Sequence, residues 1–114
     1  MRLLMIILNK EEFLDDVLSS LVEFGVMGAT VIESTRMSEI LIREIPIFAG
    51  LRQMRREGRA YNRVIIAPIE QREIAGELLK VLKEMNIDLR NPETGFLLTI
   101  PVKDFTPTLE DMGF

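Results

Sequence analysis

Three runs in this chain are apolar without alternation: LLMIIL at 3–8, VIIAPI at 64–69 and FLLTIPV at 96–102. Each is short, rich in branched or aromatic side chains and flanked by turn-forming residues, so each reads as a strand. In a two-layer domain one face of an antiparallel sheet packs on helices and the other meets water, and the strands alternate accordingly. These strands are apolar on both faces, so the second face needs a cover. Either other subunits supply it or the chain folds back over it. A large apolar face left open on a monomer is rare, and a closed homo-oligomer is the expected solution.

The rest of the pattern supplies two helices and a fourth strand. Phe13, Leu14, Val17, Leu18, Leu21 and Val22 recur at helical spacing over 11–24. Gly25 stands where a helix C-terminus favours glycine, and Glu11, Glu12, Asp15 and Asp16 crowd the first turns, where the helix dipole favours anions. Residues 29–34 (ATVIES) read as a strand. A second helix spans 71–85, with Ile74, Leu78, Val81, Leu82 and Met85 on one face. Asn91-Pro92 and Thr94-Gly95 punctuate the turn before the last strand, and the last dozen residues, with Pro107 and Gly113, read as a loose tail. The order βαββαβ is the ferredoxin-like arrangement. The expected fold is α+β: one domain over 1–114, with a four-stranded antiparallel sheet and two helices on one face.

The connection between the second and third strands, about 35–62, breaks this frame. Hairpin loops run to about 2–5 residues, and a much longer one in a small domain is usually functional or disordered. Pro46 suits the first position of a helix. Ile47, Phe48, Leu51 and Met54 follow at helical spacing and Gly58 ends the pattern, which predicts a helical insert at 46–57. Residues 39–45 (EILIREI) read as a strand extension or an extended lead-in. Between 43 and 63 lie six arginines against two glutamates, a local charge of +4 in a chain of net charge −4. Arg52, Arg55, Arg56 and Arg59 are therefore candidates for docking an acidic partner or a phosphate, since guanidinium forks match such groups. The competing reading is a solvated helix end whose arginines compensate the dipole.

Composition removes several functions. With no cysteine and no histidine, zinc sites built on those residues are excluded, as is the commonest general base. Ser19, Ser20 and Ser34 have no histidine to activate them, so an enzyme is not expected. The remaining enzymatic reading is a carboxylate metal site at Asp15 and Asp16, and no metal is assigned there. Net negative charge argues against nucleic acid as a partner. No stretch approaches the roughly 18 apolar residues of a membrane span. The N-terminal apolar run is too short for a signal peptide and acidic residues follow it. A cytoplasmic protein without membrane insertion is expected.

Positions 8–34, LNKEEFLDDVLSSLVEFGVMGATVIES, resemble the PII nitrogen-regulatory superfamily. The carrying features are Asp15-Asp16-Val17, the turn from Gly25 to Gly28, and Thr30-Val31. LLTIPV at 97–102 is similar to that family's closing strand. The resemblance implies a homotrimer with sheets facing inward and adenine nucleotides bound in clefts between subunits. It also implies a long strand 2–3 loop that docks on a transporter or enzyme. The candidate ligand-binding residues are then Thr35, Arg36 and Met37 at the exit of the second strand, Gly95 before the fourth, and Lys103 after it. Arg36 is the foremost anion contact. The departures are specific. The family's phosphate-cradling Gly-Asp-Gly-Lys aligns with Glu93-Thr94-Gly95-Phe96, where only Gly95 survives, and Phe96 reads as core. Arginines expected after the last strand are absent. The cofactor expectation is therefore none, or an adenine nucleotide without its usual phosphate ligands. The functional expectation is a PII-like regulatory trimer that senses a small effector. The second reading is a ligand-free interaction module of the same fold.

Overall fold

A computed structural model describes residues 1–47 and 61–106. Strand β1 spans Arg2–Leu8. A 3-10 turn at Glu11–Phe13 leads into helix α1, Leu14–Glu23, and β2 spans Thr30–Glu33. Helix α2, Met37–Glu44, begins the long connection. Strand β3 spans Arg63–Ile69, α3 spans Glu73–Glu84 and β4 spans Gly95–Pro101. The strands form one antiparallel sheet in the order β2-β3-β1-β4, which is consistent with a ferredoxin-like fold.

The period of two along the strands sorts the sheet into two faces. Leu4, Ile6 and Leu8 point to one side with Ile65, Ala67 and Ile69, and all six are buried. Val17 and Leu21 of α1 and Leu78 and Leu82 of α3 cover them in one core cluster. Each such side chain contributes about 1.5–3 kcal/mol by leaving water. Ser20 is the polar member of that buried helix face, and its Oγ donates to the Asp16 carbonyl at 2.8 Å, which satisfies it within the helix.

Both long helices stop by the same device. After α1, Gly25 has φ 77°, Val26 N–H donates to Leu21 O at 2.9 Å and Gly25 N–H to Val22 O at 2.9 Å. After α3, Asn86 has φ 64°, Ile87 N–H donates to Leu82 O at 2.8 Å and Asn86 N–H to Lys83 O at 3.0 Å. This pair of bonds with a left-handed residue closes a helix C-terminus, and Asn is the residue after Gly that tolerates the position. Val26 and Ile87 then turn back into the core.

The other sheet face is apolar and carries none of this helix packing. Ile7 stands opposite Val64 and Phe96, Met5 opposite Ile66 and Leu98, and Leu3 opposite Pro68 and Ile100. Phe96 is 49% exposed and Ile32, beside Val64 on β2, 42%.

Two expectations are corrected here. Residues 39–45 are not an extended lead-in: 37–44 are helical. The run Glu39-Ile-Leu-Ile-Arg-Glu-Ile satisfies both periods, and helix wins, with Arg43 Nε donating to Glu39 O at 3.4 Å one turn away. Ile45 is extended, φ −120° and ψ 111°, as the residue before a proline is driven to be, so α2 stops at Glu44. Phe96 is not core. Of the helix expected at 46–57, all but Pro46 and Ile47 lies outside the described residues, as do Arg52, Arg55, Arg56 and Arg59.

Candidate functional site

At one end of the sheet, the exits of β1 and β2 meet the entries of β3 and β4. A chain of side-chain hydrogen bonds ties them together. Ser34 Oγ donates to Asn62 Oδ1 at 2.6 Å, Asn62 Nδ2 donates to Asn9 Oδ1 at 2.8 Å, and Asn9 Nδ2 donates to the Pro92 carbonyl at 3.3 Å. Backbone bonds reinforce it: Asn9 N–H to Thr94 O at 2.9 Å and Ser34 N–H to Asn62 O at 3.3 Å. Asn62 is 7% exposed. Its two side-chain bonds, to Ser34 and Asn9, are therefore made largely out of water and count for more than exposed ones, while the Asn9–Pro92 link is exposed.

A cleft of about 530 Å³ opens beside this clasp. Ile7, Asn9 and Asn62 form its floor; Leu89, Arg90, Pro92, Gly95 and Phe96 form one wall, and Arg36 and Met37 the other. The wall before β4 is held by local turns. Arg90 N–H donates to Asp88 Oδ1 at 3.0 Å and Glu93 N–H to Asn91 Oδ1 at 3.0 Å, the side-chain turn that Asp and Asn favour. The opposite wall starts α2. Arg36 is its N-cap, with φ −70° and ψ 147° and no side-chain cap bond.

Gly95 is fixed by close packing. Its φ is 144°, and a Cβ built there would fall on the Ile7 carbonyl oxygen. The residue lets β4 approach β1 at the edge of the cleft.

Of the ligand-binding candidates, Arg36, Met37 and Gly95 come together in this cleft, with Thr35 next to them in sequence. Lys103 does not. It follows β4, whose far end pairs Pro101 with Arg2, at the opposite end of the sheet. Asn9, Asn62 and Arg90 join the cleft without having been anticipated, and Phe96, read as core rather than as a ligand platform, lines it. The Asn91-Pro92 turn was legible as a turn, and the resemblance put Gly95, just after it, in one set with Arg36, but Arg90 and Pro92 themselves were not in that set.

Just outside the cleft, the Arg63 guanidinium lies 4.5 Å from the centre of the Tyr61 ring and 3.8 Å from Glu33. Partial burial pushes the Tyr61 phenol above its ordinary value, and the Arg63 charge opposes that rise. Among the described residues no group of three or more acidic side chains is placed to hold a metal ion, and no helix is long and apolar enough to cross a membrane. No protein-family model matches the sequence, and no curated protein matches it.

Proposed function

We propose that this chain is a PII-like regulatory protein of ferredoxin-like topology, acting without catalysis in the cytoplasm. It assembles as a homotrimer through the open apolar sheet face, senses a small effector in clefts bordered by neighbouring subunits, and docks a transporter or enzyme through the strand 2–3 insert. The observation that carries this reading is the position of the cleft. Arg36 and Met37, the first residues of the insert, form one wall of it, and the loop before β4 forms the other. A ligand there touches the insert where the insert leaves the sheet. Ile7 and Phe96 belong both to the cleft and to the open face, so a subunit covering that face completes the site.

Light scattering coupled to size exclusion, followed by thermal melts with adenine nucleotides and small carboxylates, tests the reading. A trimer stabilised by at least one of these effectors is expected. A monomer at all concentrations overturns the assembly, and a melt unmoved by the whole panel removes the sensing.

One observation favours the second reading, a ligand-free interaction module. The conformational freedom of Gly95, which alone survives from the phosphate cradle, is taken up by contact with the Ile7 carbonyl. In that case the insert docks its partner with no effector, and capture of the partner is unaffected by any small molecule.

A further inference from the structure

We infer that the cleft takes a small organic anion with an apolar body, an alkyl or aryl monocarboxylate, in place of a nucleotide. This rests on the reading of the cleft as a ligand site and specifies what that ligand is.

Charge gives the first half of the argument. Arg36 and Arg90 reach the cleft from segments far apart in sequence. Among the described residues neither guanidinium has a hydrogen-bond or ion-pair partner. Two guanidinium groups without an ion-pair partner among the described residues border one concavity, which favours an anion there. Guanidinium forks bind a carboxylate through paired hydrogen bonds.

The walls and floor give the second half. Ile7, Met37, Leu89, Pro92 and Phe96 supply apolar surface. Met37 is 74% exposed and Phe96 49%, so an apolar ligand body releases water from both. On the floor, the side-chain amides of Asn9 and Asn62 are already bonded to each other and to Ser34 and Pro92. Each of these amide nitrogens keeps one N–H beyond the clasp, fewer partners than a base edge and a ribose together require, and a polar ligand group buried without a partner costs about 1–3 kcal/mol. An alkyl or aryl body makes no such demand. The cleft, about 530 Å³, lies within the roughly 300–1,000 Å³ range of small-molecule sites.

Calorimetric titration of the full chain with 2-naphthoate, octanoate, AMP and inorganic phosphate tests the inference. Both carboxylates are expected to bind, with AMP and phosphate at least tenfold weaker. Arg36→Gln and Arg90→Gln should each weaken 2-naphthoate by about tenfold, in line with the loss of one charged hydrogen bond. Circular dichroism confirms that each variant is folded, and Arg36→Lys and Arg90→Lys serve where a glutamine variant is not. AMP binding tighter than 2-naphthoate overturns the inference and leaves the regulatory reading standing. Unchanged carboxylate affinity in the folded double variant overturns the placement of the ligand. No binding by any of the four overturns the inference together with the sensing half of that reading, whereas the oligomeric state tests the assembly half separately.

Discussion

Asn62 Nδ2 donates to Asn9 Oδ1 at 2.8 Å, tying the residue just before β3 to the residue just after β1. Ser34 and Pro92 extend the tie to the exit of β2 and the entry of β4. The cleft floor is therefore a structural clasp whose polar groups hold the strand ends in register. Asn62→Ala removes its central member and strands two partners. A loss of about 1–3 kcal/mol is expected, and Ser34→Ala should lose less, about 0.5–1.5 kcal/mol. Urea denaturation measures both. Equal midpoints for Asn62→Ala and the parent chain would show that the clasp contributes nothing.

Gly95 offers a sharper contrast between ligand approach and folding. Its φ of 144° and the Ile7 carbonyl beside it admit no side chain. Gly95→Ala should cost several kcal/mol, about 3 or more, through backbone strain and the forced separation of β4 from β1. The measurement is the thermal midpoint without any ligand. A wild-type midpoint for Gly95→Ala would return the glycine to a purely ligand-facing role.

Gly76 shows the opposite case. It lies exposed within α3, and a Cβ there meets nothing within 4 Å. Gly76→Ala should stabilise the chain by about 0.5–1 kcal/mol, because alanine loses less backbone entropy on entering a helix. Unchanged or lowered stability in chemical denaturation would mean that this helix face packs against a further surface.

What was legible in the sequence is what local pattern encodes. LLMIIL, VIIAPI and FLLTIPV gave strands because they are short, rich in branched or aromatic side chains and bounded by turn residues, and Gly25 marked a helix end. Asn86 ends α3 by the same geometry as Gly25; an Asn directly after the last periodic residue, Met85, is a weaker form of the same mark, and it went unread. Helix α2 was missed because Ile40, Leu41, Ile42 and Ile45 fit either period. Phe96 was misplaced because neighbours in a strand alternate faces, and only the register with Ile7 reveals that it lies on the open one. The cleft needed most from tertiary structure. Asn9, Arg36, Asn62 and Arg90 stand far apart along the chain, and only the closing of the sheet makes them neighbours.

The open face carries the last prediction. Leu98 stands opposite Met5, which stands opposite Ile66, so a charge at Leu98 enters the middle of an apolar surface from which the core-facing helices are absent. If other copies of the chain cover that surface, Leu98→Asp buries an unpaired carboxylate in the interface. Such burial is strongly unfavourable. Dissociation to monomers by light scattering is expected, with secondary structure retained in circular dichroism. Leu97, the neighbouring residue, pairs with Ile6 and packs against the helix-side core. Leu97→Ala should instead lose about 2–5 kcal/mol of stability while the surviving folded protein keeps its assembly. An assembly unchanged by Leu98→Asp would mean that the face is covered from within the same chain.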